Sequence, residues 1–234
     1  MNLEKSFMFS KTCPNCKTII RKNVLSTHEV LAPYDRFSFS DIDKRFKVKC
    51  PSCGLKADLA YPFRYIDRIS KYELFLIPIG HPDEEELLNG LSSCNENPDY
   101  VTRLVADDMA LLDKINVFNA GLNDKVIELC KVLMWGDLCE QQPKYKGANL
   151  VSSFYMKHEK DGSAYSGVDM VMQTYEKGGK RDSDFLILER DYYDNIFNQC
   201  KIDIDAQPIM RFDEINASWA HKVFKSRRER LGLT

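Results

Sequence analysis

Two short cysteine motifs, separated by 33 residues, constrain this chain more than any other feature of its sequence. Residues 13–16 read Cys-Pro-Asn-Cys, residues 50–53 read Cys-Pro-Ser-Cys, and Gly54 follows the second motif. Two thiolates separated by two residues can face one metal ion when the backbone between them forms a tight turn, and proline presets φ for that turn. Glycine directly after the motif tolerates the left-handed backbone that such turns often need. The spacing therefore predicts that each motif supplies one pair of metal ligands.

Together the two motifs provide four sulfur ligands, Cys13, Cys16, Cys50 and Cys53. Four thiolates form the closed tetrahedral shell of a structural zinc site, and iron is bound by the same shell. The alternative is two disulfides or unused thiols. A disulfide within a Cys-x-x-Cys motif is strained, and nothing in the sequence indicates an oxidising compartment. We therefore predict structural Zn²⁺ bound by these four cysteines.

Charge and hydropathy exclude several classes of protein. The chain has 234 residues with 33 Lys and Arg against 35 Asp and Glu, a net charge of −2, which argues against coating by nucleic acid or membrane over the whole surface. No segment approaches the ~18 consecutive apolar residues of a membrane-spanning helix. The N-terminus lacks a basic segment followed by an apolar stretch, so a secretory signal is not expected. These features predict a cytoplasmic protein that does not bind membranes.

The first 80 residues are expected to form a zinc-ribbon-like β domain. Short β-branched or alternating runs flank both cysteine motifs, and residues 74–79 have the composition of a buried or edge strand. Residues 81–100 contain prolines, an Asn-Gly pair and a run of acids, which is typical of a solvated acidic hinge.

An αα-hairpin is predicted over residues 101–136. Apolar residues recur at helical spacing over residues 101–118, and Gly121 is suited to end that helix. Asn123 is a good N-cap for a second helix that stops near Gly136. The short connection between the two helices favours antiparallel packing.

Residues 137–234 are predicted to form an antiparallel β-meander with helices. Apolar residues alternate over residues 148–190, with turns at Asp161-Gly162 and Gly178-Gly179. The pattern also predicts a helix over 191–200, a short strand over 208–212 and a last helix capped by Asp213. The predicted fold class is therefore α+β: a zinc-ribbon-like β domain, an αα-hairpin and a C-terminal meander.

Several segments resemble the bacterial CpXC domain. They are the doubled Cys-Pro-x-Cys motif, the stretches 48–54 and 59–62, and the helical segments 112–115 and 121–129. The resemblance extends over roughly residues 10–135, with a weaker likeness around Trp219. It implies a fold family whose name derives from its cysteines, and it implies no specific biochemical role.

Catalytic motifs are lacking in the sequence. Four cysteines close the zinc shell, whereas a catalytic zinc ion needs an open position. The deaminase pattern is not met, because Glu29 follows His28 directly and Lys49 precedes Cys50. The sequence contains no zincin, Walker, nucleophile-elbow or dinucleotide-binding motif. The four histidines lack ligand spacing, so we expect no enzyme.

Two kinds of partner are consistent with this sequence. A zinc-stabilised platform with helices and a half-exposed sheet favours a protein-interaction or structural role within a larger complex. The alternative is a nucleic-acid-binding or regulatory zinc ribbon, because the basic N-terminal segment contains interleaved aromatic residues and Lys225–Arg230 are able to contact phosphates. The simpler explanation is that those aromatic residues form the hydrophobic core of the ribbon itself.

Overall fold

The computed structural model describes residues 6–92, 99–157, 167–207 and 213–233. The chain divides into two compact units, one of Met1–Ile115 with Arg211–Asp213 and one of Asn116–Met210 with Glu214–Thr234. Helices and antiparallel sheets occur together, which confirms the predicted α+β class. The division between these units, at residues 115 and 116, falls within a helix. The predicted domain limits at residues 80, 100 and 136 concern independent folding, and they stay a prediction.

The first unit is built mainly from short strands. Its elements are β1 (Ser6–Thr12), β2 (Ile19–Leu25), β3 (Thr27–Val30), α1 (Phe39–Phe46), β4 (Lys47–Lys49), β5 (Lys56–Asp58), β6 (Phe63–Asp67), β7 (Tyr72–Leu76), α2 (Glu84–Ser92) and β8 (Val101–Val105).

Three sheets organise this unit. β1 pairs with β2, and β4 with β5, in two separate antiparallel hairpins. The third sheet has the order β3-β6-β7-β8, with parallel pairs at both edges and an antiparallel pair in the middle. Its centre is apolar, because Tyr65 and Leu74 are completely buried. The strand predicted over residues 74–79 is present in part, because β7 begins earlier, at Tyr72, and ends at Leu76.

Two predictions in this unit need correction. Residues 101–105 were expected to begin a helix, but they form β8, in which Val101 pairs with Tyr72 in parallel register. β-branched side chains suit this extended position, and the neighbouring strand supplies the backbone hydrogen bonds. The helix begins later, as α3 (Asp108–Asn119). The segment predicted as a hinge, residues 81–100, contains α2, whose first turn carries Glu84, Glu85 and Glu86. Acids are favourable there because they face the positive end of the helix dipole.

The second unit contains the predicted meander. Its elements after α3 are α4 (Asp124–Gln141), β9 (Asn149–Lys157), β10 (Asp169–Lys177), β11 (Lys180–Ile187), α5 (Arg190–Ala206) and α6 (Ala217–Arg230). The three strands pair antiparallel in the order β11-β10-β9. Gly178 and Gly179 form the β10–β11 turn with φ of 58° and 73°, as their sequence predicts. The predicted turn at Asp161-Gly162 and the predicted strand over 208–212 lie outside the described residues.

Both helices predicted for the αα-hairpin form, as α3 and α4. Gly121 lies between them with φ of 69°, and the Asn123 side chain accepts a hydrogen bond from the Lys125 amide, which confirms the predicted N-cap. α4 runs to Gln141 and does not stop near Gly136. A glycine within a helix costs about 1 kcal/mol relative to alanine. The stabilisation that α4 gains from packing along its length is larger than this cost, so the helix continues through Gly136.

The last two helices also differ from their predicted limits. α5 ends at Ala206, six residues beyond the predicted Cys200. α6 is capped by Asn216, whose side chain accepts from the Trp219 amide, and not by Asp213. None of the helices in the described residues is long and apolar enough to cross a membrane.

An ion pair fixes the basic end of α6 to α5. Nε and a terminal nitrogen of Arg230 each donate to a different carboxylate oxygen of Asp203, both at 2.7 Å. Asp203 is 1% exposed, and Arg227 lies 3.8 Å from the same carboxylate. The hydrogen bonds from Arg230 hold the pKa of Asp203 below its ordinary value. The pair therefore stabilises the folded state at neutral pH, and this contribution is lost as the pH falls through the lowered pKa.

Replacing the cation of this pair tests how much the pair contributes to the free energy of unfolding. Arg230→Gln should lower the free energy of unfolding by about 1–3 kcal/mol, because it leaves a buried carboxylate without its main partner while Arg230 itself is partly exposed. Urea unfolding at neutral pH and at acid pH measures the effect, which should shrink as Asp203 becomes protonated.

Lys225→Gln is the matched control in the same helix. Lys225 is 79% exposed and lies 3.9 Å from Glu229, so its loss should cost less than about 0.5 kcal/mol. Equal destabilisation by the two variants would contradict the assignment.

Candidate metal centre

Each cysteine motif forms the same backbone turn, which we call a knuckle: residues 13–18 are the first knuckle and residues 50–55 the second. In the first, the Cys13 amide donates to the Thr18 carbonyl at 2.9 Å. In the second, the Cys50 amide donates to the Leu55 carbonyl at 2.8 Å. The first knuckle joins β1 to β2, and the second joins β4 to β5. Each hairpin therefore presents one cysteine pair.

A left-handed residue closes both knuckles at the same place. Gly54 has a φ of 74°, and its amide donates to the Cys50 carbonyl at 3.0 Å. Lys17 takes the equivalent position in the first knuckle, with a φ of 62° and a 3.0 Å bond to the Cys13 carbonyl. The sequence predicts this conformation at Gly54 but gives no sign of it at Lys17. A side chain in this region costs roughly 1–2 kcal/mol, so the fold must impose it.

The structure brings the four predicted ligand residues together. Their sulfur atoms all lie within 4.8 Å of one another. The Cys13 and Cys53 sulfurs are 3.7 Å apart, and the Cys16 and Cys50 sulfurs are 3.5 Å apart. A tetrahedron with Zn–S bonds of about 2.3 Å has edges of about 3.8 Å. All four thiols are free, so the distances fit a metal shell and not a pair of disulfides.

Hydrogen bonds favour the thiolate form of the two exposed cysteines. At Cys50, the lowering effect of the Cys53 amide is outweighed by burial and the neighbouring thiols, which raise its pKa to about 11. The Thr18 side chain lies 3.3 Å from the Cys16 sulfur, and this hydrogen bond lowers the pKa of Cys16 to about 6. The Leu55 amide, followed by the Asn15 side chain, lowers the pKa of Cys53. Metal ligation requires deprotonated cysteines, so these contacts prepare the site for a cation.

One face of the site is buried and the other is open to solvent. Cys13 and Cys50 are almost completely buried and pack with Ile20 and Ala57 in a small cluster. Cys16 and Cys53 are exposed. A hydrogen bond between Thr18 and Ser52, 2.9 Å long, links the two knuckles on the outside. Thr18 was not among the residues singled out from the sequence, and its place as the last residue of the first knuckle is the one signal that could have indicated it.

The lysines near the knuckles contact protein oxygen atoms. Lys17 Nζ donates to the Pro14 carbonyl at 3.1 Å within its own knuckle. Lys11 Nζ donates to the Asp58 carbonyl at 2.6 Å, so it connects the first hairpin to the second. Lys47 pairs with Asp43 at 2.7 Å. These cations therefore hold the two hairpins and α1 in place beside the sulfurs.

The other histidines and cysteines that the structure describes do not join this centre. Within the part of the chain that the structure describes, the four-cysteine cluster is the group of His, Cys, Asp and Glu side chains arranged to hold a metal ion. His28 Nε2 donates to the Asp35 carbonyl oxygen at 2.7 Å, and its ring lies 4.5 Å from that of Phe37. Cys130 and Cys200 belong to the core of the second unit, as predicted. Cys94 and His158 lie outside the described residues.

A comparison with family models supports the resemblance stated above. Residues 41–131 match the model of the CpXC protein family, which confirms the family prediction over this segment. The match includes the second knuckle and reaches into α4, but it begins after the first knuckle. Comparisons with curated proteins and with solved structures returned no match.

Loss of one ligand should abolish metal retention. We expect freshly purified wild-type chain to hold about one equivalent of zinc, and Cys50→Ser to hold far less, because three thiolates leave the shell incomplete. Inductively coupled plasma mass spectrometry measures zinc and iron together. Cys139→Ser, a thiol outside the cluster, is the control. Less than about half an equivalent of zinc in the wild type would contradict the prediction.

The left-handed residue of the second knuckle gives an independent test. Gly54→Ala should destabilise the metal-loaded protein by about 1–2 kcal/mol through backbone strain alone, because the added Cβ meets only Lys49 Cε, at 3.4 Å. Thermal unfolding of the zinc-loaded protein measures this cost. Gly90→Ala, within α2 and with open space around it, should be neutral or stabilising. An unchanged melting temperature for Gly54→Ala would exclude the strain argument.

Proposed function

We propose that this chain is a zinc-binding structural and protein-interaction module that acts within a larger bacterial complex and has no catalysis of its own. The observation that carries the proposal is the cluster of Cys13, Cys16, Cys50 and Cys53, whose sulfurs lie within 4.8 Å of one another. Four thiolates fill a tetrahedral zinc shell and leave no position for substrate or water. The metal in this role would hold the two hairpins together.

The other thiols support a non-catalytic role. Burial raises the pKa of Cys130 to about 12, and burial also raises the pKa of Cys200. Both side chains are therefore neutral at physiological pH, and the thiolate is the nucleophilic form of cysteine. Each packs in the apolar core of the second unit.

Exposed apolar residues near the knuckles provide a surface for a protein partner. Met8 on β1 is 62% exposed and Ile19 on β2 is 59% exposed. Ile19 pairs with Thr12, which lies on the same side of β1 as Met8, so both apolar side chains point to one face of the hairpin. Phe7 and Phe9 point to the other face and pack against Tyr61. We call Met8, Ile19 and Arg21 the outer hairpin face.

The structure weakens the case for the alternative, nucleic-acid binding by the basic segment. Most of the aromatic residues that supported it are buried: Phe37, Phe46, Phe63 and Tyr65 are at most 7% exposed. Such rings form the core of the unit and are closed to stacking with bases. In the C-terminal basic cluster, Arg227 and Arg230 contact Asp203. A protein partner is therefore the function that the surfaces support better.

Affinity purification of the zinc-loaded full chain from its host tests the proposal. A partner protein should be present in near-stoichiometric amount and should be lost when the outer hairpin face carries Met8→Asp and Ile19→Asp. Two buried charges at an apolar contact should weaken binding at least about 100-fold. Val151→Asp, on an exposed apolar residue of β9, is the control and should retain the partner.

Zinc content of each variant must be measured in the same preparations, so that a lost partner is not confused with a lost metal. Equal capture by wild type and the hairpin variant would contradict the interaction surface. Salt-dependent binding of single-stranded nucleic acid, with no protein partner, would favour the alternative.

A further inference from the structure

A cavity of about 370 Å³ lies beside the C-terminal half of α1, away from the cysteines. All of its lining residues belong to the first unit. Four of them are basic and two are acidic: Lys22, Arg36, Lys44, Arg45, Asp35 and Asp41. Its volume lies within the range of small-molecule sites, which is about 300–1,000 Å³.

The negative charges of this cavity are held by nearby backbone groups. One carboxylate oxygen of Asp35 accepts from the Leu31 and Ala32 amides, at 3.1 and 2.8 Å. Asp41 accepts from the amide and the hydroxyl of Ser38, the N-cap of α1. Both carboxylates keep their negative charge, and Arg36 is paired with the buried Asp67 at 2.9 Å, so the positive excess of the lining comes from Lys22, Lys44 and Arg45.

Two of the cations are fixed close to each other. Lys22 Nζ donates to the carbonyls of Lys44, Arg45 and Lys47, at 2.6, 3.0 and 3.0 Å. The Arg45 guanidinium lies over the rings of Phe37 and Phe63, with its central carbon 5.0 and 5.2 Å from their centres. Burial, together with the charge of Arg45, lowers the pKa of Lys22. Like charges held this close would be stabilised by an anion.

Lys44 completes this positive region at the rim of the cavity. Its side chain is 76% exposed, and its ion pair with Asp41 is long, at 3.9 Å. A long exposed pair is weak, so Lys44 can turn toward an incoming anion at little cost.

Tyr61 gives an independent indication of a polar ligand. It lines the cavity and is completely buried, yet its hydroxyl has no hydrogen-bond partner among the described residues. A buried hydroxyl without a partner costs about 1–3 kcal/mol. Burial raises the pKa of Tyr61 to about 12, and the charge of Arg45, another lining residue, opposes this rise. Because the hydroxyl has no exposed surface, a ligand oxygen accepts its hydrogen bond only if the cavity wall moves slightly.

The cavity is larger than a phosphate group requires. Tyr34 also lines the cavity, and it is 88% exposed, so it presents an uncovered aromatic ring. An exposed tyrosine beside cations is suited to stack on a planar base. We propose that this cavity binds a small phosphate-bearing ligand with a planar ring, a nucleoside monophosphate, with Lys44, Arg45 and Tyr61 on the phosphate side and Tyr34 on the base side.

Calorimetry on the zinc-loaded full chain tests this site with adenosine 5′-monophosphate, adenosine, inorganic phosphate and a short single-stranded oligonucleotide. The monophosphate should bind at least about tenfold more tightly than adenosine or phosphate alone, because each of these lacks one half of the ligand. Lys44→Gln should weaken binding of the monophosphate about three- to tenfold.

Two further variants keep the test independent of folding. Tyr61→Phe should weaken binding, but it should leave the melting temperature of the free protein unchanged or higher, since it removes an unpaired buried hydroxyl. Lys56→Gln removes a basic residue of β5 that does not line the cavity, and it should bind the monophosphate like the wild type.

Three outcomes would overturn the proposal. They are no binding of the monophosphate, equal weakening by Lys44→Gln and Lys56→Gln, and oligonucleotide binding without monophosphate binding. Zinc content and partner capture are measured separately, so failure here would leave the proposed metal and interaction roles intact.

Discussion

The sulfur cluster joins two hairpins that bury very little surface between them. The apolar cluster at this point has four buried members, and two of them are the ligands Cys13 and Cys50. An isolated two-stranded hairpin is marginally stable at best in water. In the proposed role, a metal ion bound by the four thiolates would supply the cross-link that such a small core lacks, because its binding energy would become folding energy. Lys11 adds one bridge between the same hairpins through the Asp58 carbonyl. The cysteines therefore matter most for the contact between the two hairpins, whereas the four-stranded sheet of the same unit has its own buried apolar residues.

The basic character of the N-terminal segment serves mainly to hold the fold together. Lys11, Lys17 and Lys22 each donate to backbone carbonyls, and Lys47 pairs with Asp43. Satisfying carbonyl groups in short strands and at a helix end is necessary wherever regular hydrogen bonding stops. The cavity beside α1 is one place where basic side chains line an open space. A chain whose overall charge is near neutral can thus still contain a positive segment with one local anion site.

The second unit is organised by the apolar side of α4 and by buried ion pairs. Lys131 donates to Glu128 at 3.0 Å, and both side chains are at most 8% exposed. Asp203 receives two hydrogen bonds from Arg230. A buried charge without its partner is strongly unfavourable, so these pairs restrict how the helices can pack. These pairs therefore favour one packing arrangement in this half of the chain. The meander provides the surface on which α4 lies.

Local patterns in the sequence were sufficient for the cysteine ligands, the meander and the Asn123 cap, because each depends on residues a few positions apart. The family resemblance adds to these and is confirmed over residues 41–131. The sequence was misleading where a segment depends on a distant partner: residues 101–105 have helical spacing but form a strand because Tyr72 and its neighbours offer a free edge. Lys17 likewise adopts a left-handed backbone because the knuckle closes around it. Only the tertiary structure decided these features, since the hydrogen bonds and packing that fix them join residues far apart in the chain.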